Sequence, residues 1–294
     1  MPNASGTGTI VKAVSGVYSV DDGGNIVRCS ARGRFRREEI TPLVGDRAVY
    51  TVSGAQGVLE ELLPRRNAFI RPPVANLDVM VLVASGATPV TEPFLIDRMA
   101  AIAAYAGCEA YVCITKRDLN GGDSLAEIYT RAGFPVFRAS AETGEGIDEL
   151  LAALSGKISA FTGNSGVGKS SLLNAMGLDL KVGEVSERLG RGRHTTRHTE
   201  LYALPGGAYI VDTPGFSSFD PGQMALTERA EIERAFREFA PHLGKCRFQD
   251  CAHLKEPACA VRAAVADGTI GATRYASYAK LLAAAAELKA KEYK

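Results

Sequence analysis

The sequence predicts a multidomain chain in three parts. An N-terminal β-barrel of the oligonucleotide/oligosaccharide-binding (OB) type spans residues 1–72, a central α/β phosphate-loop domain 73–220, and a C-terminal helical, zinc-binding domain 221–294. Three observations predict it. Short apolar runs broken by turn residues crowd the N-terminal part. Apolar strands then alternate with helical stretches, the pattern of a parallel, doubly wound sheet. Late in the chain, three cysteines cluster with a histidine.

With 294 residues each part can bury its own core. Apolar content of 46% and charged content of 23% are those of an ordinary globular protein. The net charge of +1 does not mark a nucleic-acid binder, but it conceals local basic stretches. The chain has no apolar run of about twenty residues, so no membrane helix is expected. Met1–Gly6 lacks the basic and apolar blocks of a signal peptide, and a cytoplasmic location is expected. The six cysteines are then not expected to form structural disulfides.

The runs Gly8–Val14, Gly16–Val20, Ile26–Arg32, Asp46–Val52 and Val58–Leu62 give five strands, the number of an OB-type barrel. Arg28, Arg32, Arg34, Arg36 and Arg37 crowd one strand-loop region, a patch suited to RNA phosphates. Glu38 and Glu39 make a charge-balanced, solvated loop the alternative. Aromatic residues are sparse here, so backbone and shape contacts are expected rather than base stacking.

The proline-rich, basic stretch Leu63–Pro73 reads as an extended connector. Val79–Ala84 follows as a buried strand, Phe94–Ala106 as a helix stopped by Gly107, and Glu109–Ile114 as a second buried strand. That strand runs into Thr115-Lys116-Arg117-Asp118, the form of the guanine-reading motif of GTPases. An ionised Asp118 can accept from guanine N1–H and the 2-amino group. Adenine offers neither donor in that geometry, and leaving the carboxylate unmatched is costly. Lys116 can lay its aliphatic stem along the base. GTPases usually carry Asn at the position of Thr115, with Thr a frequent variant. Phe134–Arg138 is the next strand, followed by Ser140-Ala141. A Ser-Ala pair there matches the loop whose backbone N–H, here that of Ala141, meets the guanine carbonyl.

Gly163-Asn164-Ser165-Gly166-Val167-Gly168-Lys169-Ser170 is a G-x-x-x-x-G-K-[ST] phosphate loop. It lies between a strand, Ile158–Thr162, and a helix over Ser171–Met176. Glycines let the backbone wrap a phosphate chain, and the N–H groups at the helix start point at the anion. Lys169 is expected to reach the β- and γ-phosphates, Ser170 to ligate Mg²⁺, and Ser171 to open the helix beside the nucleotide.

Gly190–His198 is a basic, glycine-bearing loop at the position of a first switch. Thr196, or alternatively Thr195, is expected to close over Mg²⁺ and the γ-phosphate. Leu201–Leu204 and Ala208–Val211 form a hairpin ending in Asp212-Thr213-Pro214-Gly215. Asp212 can hold the Mg²⁺ water shell, and the Gly215 N–H can sense the γ-phosphate. Phe216 stands where a water-orienting glutamine is common, and a phenyl ring cannot orient water. His194 is the candidate for that work, with an ordinary surface histidine as the alternative.

Cys246, Cys251, His253 and Cys259 offer three thiolates and an imidazole, a closed set suited to structural Zn²⁺. Cys29, Cys108 and Cys113 read as core residues. Leu226–Ala240 and residues 272–292 read as helices, the second with Tyr275, Tyr278, Leu281, Leu282 and Leu288 near one face.

The motifs run in an unusual order: base motif, Ser-Ala loop, phosphate loop, threonine switch, Asp-x-x-Gly. Ordinary GTPases begin with the phosphate loop, so the order is a circular permutation. With a barrel before and a Cys/His cluster after, the chain resembles the ribosome small-subunit-dependent GTPase A family over essentially its whole length. The resemblance implies a circularly permuted GTPase domain that binds GTP and GDP with Mg²⁺, and one structural zinc. It also implies binding to the small ribosomal subunit and its rRNA late in assembly, with hydrolysis stimulated by the subunit. No membrane partner is expected, and a monomer is. The rival readings are an ATP-dependent kinase or ATPase, which Asp118 argues against, and a non-catalytic RNA-binding protein, which Phe216 keeps open.

Overall fold

The computed structural model describes residues 4–54, 56–70, 72–119, 121–178, 199–212 and 228–292. Strands β1 (Ala4–Val14), β2 (Val17–Asp22), β3 (Asn25–Ala31), β4 (Arg47–Ser53) and β5 (Gln56–Leu62) close into a barrel in the order β1-β2-β3-β5-β4-β1. All neighbours are antiparallel except β3 and β5. β1 is long enough to pair with β4 over its first half and β2 over its second. A Cβ at Gly8 would stand 2.4 Å from Asp21 O, so only glycine lets β1 lie this close to β2. A short helix, α1 (Gly33–Arg37), lowers Phe35 into the barrel against Ile10, Val20, Tyr50 and Leu59. The arginine-rich loop of the sequence is therefore partly helical, and one apolar residue anchors it.

The connector is also more than an extended link. β6 (Ala68–Ile70) and β7 (Pro73–Ala75) make a two-stranded ribbon. Arg65 grips the fully buried Asp46 through Nε (2.6 Å) and Nη2 (2.7 Å). Arg66 pairs with Asp78 at the foot of the next strand. Val11 and Val44 of the barrel lie in the same apolar cluster as Met80 and Leu82 of the following strand.

That strand, β8 (Val79–Ser85), is buried at every position. β9 (Glu109–Thr115), β10 (Val136–Arg138), β11 (Ile158–Thr162), β12 (Glu200–Leu204) and β13 (Ala208–Asp212) complete a sheet of spatial order β10-β9-β8-β11-β13-β12. All pair in parallel except β12. Helices α2 (Pro93–Tyr105) and α3 (Asp123–Arg131) cover one face, meeting Met80, Leu82 and Ala84. Helices α4 (Ile147–Leu154) and α5 (Lys169–Ala175) cover the other, meeting Val79, Val81 and Val83. Covering on both faces explains why β8 reads as an unbroken apolar run. β12 also pairs with β1 at Glu200 and Lys12, so sheet and barrel are continuous.

Beyond β13, the described chain resumes at α6 (Arg229–Ala235), then α7 (Ala260–Ala266) and α8 (Ala272–Glu292). The sequence reads Leu226–Ala240 as one helix. Within the described residues the helix instead stops at Phe236 (φ −91°, ψ 87°), and a 3₁₀ turn covers Arg237–Phe239. The break sends Phe236 and Phe239 against the Tyr278 ring, at 5.6 and 4.9 Å, and turns Glu238 towards Arg274.

Arg274 on α8 is 1% exposed. Its Nη1 donates to Asp97 of α2 at 2.6 Å, and its Nε and Nη2 donate to Glu238 at 2.6 and 3.1 Å. Tyr129 of α3 donates to the same Asp97 oxygen at 2.8 Å. The guanidinium lies 4.4 Å from the Phe236 ring centroid and 5.2 Å from that of Phe134. Removing one partner of a buried ion network strands the others, at a cost of about 3–5 kcal/mol, whereas replacing the whole set by apolar residues is often neutral. Arg274→Met is accordingly expected to lower the urea midpoint for loss of the C-terminal helices. Arg274→Met combined with Asp97→Leu and Glu238→Leu should regain most of it.

Candidate nucleotide site and metal centre

β11 lies between β8 and β13, and the phosphate loop leaves its carboxyl end. A Cβ at Gly163 would meet Val83 O at 2.4 Å, so the loop can turn over β8 only with glycine there. Gly166 and Gly168 adopt φ of +80° and +92°, a region that disfavours residues with a Cβ. Val167 is 1% exposed and pins the loop into the core, while Asn164 and Ser165 face outward. Gly168 leads into α5, whose first turn carries Lys169, Ser170 and Ser171. Lys169 is half-buried, and desolvation holds its ammonium below the ordinary lysine range. An anion in the loop would offset that cost.

The base motif stands beside this loop because β9 ends level with β8. Thr115 is buried, and its hydroxyl donates to Val167 O at 2.5 Å, with Ala84 O a second acceptor at 3.1 Å. Lys116 adopts φ +59° and its Nζ donates to Gly166 O at 2.8 Å and Thr88 O at 2.7 Å. Its stem therefore runs from the base motif to the phosphate loop. Asp118 lies on an exposed turn, and its Oδ1 accepts from the fully buried Ser140 Oγ at 2.6 Å. The Ser140 hydroxyl is itself fixed by the N–H groups of Thr143 (3.2 Å) and Glu142 (3.3 Å). Ala139 N donates to Ile114 O and Arg117 N to Ala139 O, which holds the two loops edge to edge with Ala141 exposed at their rim.

The structure thus gathers Gly163–Ser171, Thr115–Asp118 and Ser140–Ala141 along one edge of the sheet. Asp212 closes β13 next to β11, and its backbone is in register with Glu200. His194, Thr195, Thr196, Gly215 and Phe216 lie outside the described residues. Sequence reasoning missed the wall formed by the loop after β8. Gly86 abuts Gly121 and Gly122 so closely that a Cβ would stand 1.9 Å from Gly122 N, and Pro89 reaches Gly166. The sequence signals it only through unexplained glycines, Gly86 on one side and Gly121-Gly122 on the other.

The metal centre is built separately, below α6. The ligand atoms of Cys246, Cys251, His253 and Cys259 all lie within 4.8 Å of one another. His253 Nδ1 is 3.5 Å from Cys246 Sγ and 3.3 Å from Cys259 Sγ, and those two sulfurs are 3.8 Å apart. A disulfide would need about 2.05 Å. A tetrahedral ion with Zn–S bonds of about 2.3 Å gives S···S edges of about 3.8 Å. Donor set and spacing both fit zinc. The N–H groups of Ala260 and Arg262 point at Cys246 and Cys259 Sγ, each at 3.4 Å, and orient both sulfurs. Glu256 organises the turn by accepting its own N–H and those of Ala252, Lys255 and Leu254, holding its pKa at about 2. Tyr275 and Tyr278 of α8 tie down the carbonyls of His253 and Ala252 at 2.7 and 2.9 Å.

Comparison with known proteins covers both regions. The chain matches the family model for the RsgA GTPase over residues 62–221, and that for the RsgA N-terminal domain over 7–58. The small ribosomal subunit biogenesis GTPase RsgA of Caldanaerobacter subterraneus subsp. tengcongensis is 43% identical, over 98% of each chain. Its namesake in Geobacillus thermodenitrificans is 42% identical, over 96% of this chain and 98% of that one. The crystal structure of YjeQ from Thermotoga maritima superposes with a TM-score of 0.82 at 36% identity, covering 96% of this chain and 99% of that one. The structure of YloQ, described as a circularly permuted GTPase, gives 0.82 at 35% identity, covering 97% and 96%. Because these likenesses run nearly end to end, the chain belongs to the RsgA GTPase family.

Proposed function

We propose that this chain hydrolyses GTP to GDP and phosphate during late maturation of the small ribosomal subunit, and that the subunit stimulates the reaction. The observation that carries the reading is the phosphate loop tied to a guanine motif through Thr115 and Lys116, with Asp118 held by Ser140. The relatives' shared name supplies the subunit.

In this reading the amides of Gly163–Ser171 cradle the phosphates and Lys169 neutralises the β- and γ-oxygens. Ser170, Asp212 and Thr196 would hold Mg²⁺, which would supply positive charge beside the phosphates during transfer. Gly215 contacts the γ-phosphate through its N–H. Thr115, Lys116, Asp118, Ser140 and Ala141 select guanine. Phe216 supplies no polar group for the attacking water, so His194 or the ribosome must position it. The exposed arginines of α1 and β3 suit rRNA phosphates. Cys246, Cys251, His253 and Cys259 hold one structural zinc. The reading is of a monomer working in the cytoplasm, and among the described residues no helix is long and apolar enough to cross a membrane.

Three measurements test this. Phosphate release from GTP should rise strongly with purified small subunits, not with large ones, and vanish with Lys169→Ala; equal rates with and without small subunits would refute the assigned partner. Asp118→Asn should weaken GDP and GTP by at least roughly tenfold and favour xanthosine nucleotides, because an amide donates to the xanthine carbonyl; unchanged GTP affinity would remove the base-reading role. Metal analysis should find about one zinc per chain. Cys259→Ser should reduce it, and chelation should melt the C-terminal helices while GDP remains bound.

A further inference from the structure

His253 reaches the metal centre through Nδ1, the nitrogen facing Cys246 and Cys259. Its other nitrogen, Nε2, points away from the thiolates and towards α6. There it faces Glu233 Oε1 at 3.8 Å. That oxygen is buried and makes no hydrogen bond among the described residues. Arg229, one turn earlier on α6, stands 3.1 Å from it as an ion-pair partner and also donates to Asp250 O at 2.8 Å, beside the ligand Cys251. One face of α6 therefore lies directly behind the ligand loop.

We propose that Glu233 is a positioning residue of the zinc centre, accepting the Nε2–H of His253 once zinc is bound to Nδ1. The inference rests on the zinc reading above. A neutral imidazole binds metal through one nitrogen and carries its proton on the other, and an acceptor for that proton fixes both tautomer and ring orientation. Glu233 is the carboxylate placed to do this. The 3.8 Å separation is longer than a hydrogen bond; zinc loading closes it. Because Glu233 sits on α6, the first described helix after the Asp212 strand, the metal's hold on His253 also fixes that helix to the ligand loop.

The test is zinc affinity of the full-length protein, by competition with the chelating dye 4-(2-pyridylazo)resorcinol. Glu233→Ala should weaken zinc roughly tenfold to hundredfold, the usual consequence of losing such a partner. Glu233→Gln, whose amide oxygen still accepts from Nε2–H, should recover most of it. GDP affinity should be unchanged in both. Wild-type affinity in both variants would overturn the proposal, and so would equal losses in both, which would mark Glu233 as packing alone. If Glu233→Ala does not fold, nitrogen NMR of the zinc-loaded wild type decides: a slowly exchanging Nε2–H on His253 that shifts in Glu233→Gln supports the assignment, and an unperturbed signal refutes it. Wild-type protein without zinc affinity would instead refute the metal reading itself.

Discussion

A loop that wraps phosphate must bring bare backbone against the strands behind it, and the rest of this sheet is arranged around that contact. Gly163 turns within reach of Val83 O, where no side chain fits. The loop is then held from the far side, because Thr115 donates to Val167 O and Lys116 to Gly166 O. β8 and β9 end level, Ser85 beside Thr115, while β11 stops earlier, Thr162 beside Leu82, so the phosphate loop folds back over Val83 within reach of Thr115 and Lys116. The base motif is held nearby, since Thr115 closes β9 and Asp118 accepts from Ser140 beyond β10.

The permuted connection leaves this arrangement intact because the sheet needs neighbours, not chain order. β8, β9 and β10 come before β11 in sequence, yet β11 still lies between β8 and β13. What permutation changes is where the chain enters and leaves. It enters β8 from the ribbon that Arg65 and Arg66 clamp to Asp46 and Asp78. It leaves from β13, the strand that ends in Asp212, and the next described helix, α6, lies against the Cys/His cluster.

Much of this was legible in the sequence, for a physical reason. The phosphate loop, the base motif and the Cys₃His set are local patterns whose chemistry fixes residue type and spacing. β8 was legible because burial on both faces leaves no polar position. What escaped was set by distant partners. Nothing local says that Arg274 will be buried, since its carboxylates, Asp97 and Glu238, come from two other elements. Phe236 breaks a helix that propensity would continue, because two rings and Glu238 gain more by turning to α8. The connector hid a clamp because Asn67 and Asn76 look like ordinary turn residues. In the fold Asn67 exchanges two hydrogen bonds with the Leu77 backbone, and Asn76 reaches Gly45 O.

The junctions between the parts differ in strength, and the difference has a direction. Lys12 and Glu200, with side chains 44% and 30% exposed, form a surface pair worth at most about 1 kcal/mol. Yet Glu200 is in register with Lys12 on one side and Asp212 on the other, so one row crosses from the barrel to the end of β13. Arg274 is buried, and undoing its network costs several-fold more. It locks α8 to α2, on the side of the sheet away from the phosphate loop's own helix. Lys12 and Glu200 thus make a lightly held pair between β1 and β12. Glu228, just before α6, pairs with Lys289 of α8, and Glu233 on α6 faces His253 of the Cys/His cluster. Among the described residues, the row that reaches Asp212 thus carries a surface pair, whereas α8 rests on a buried network.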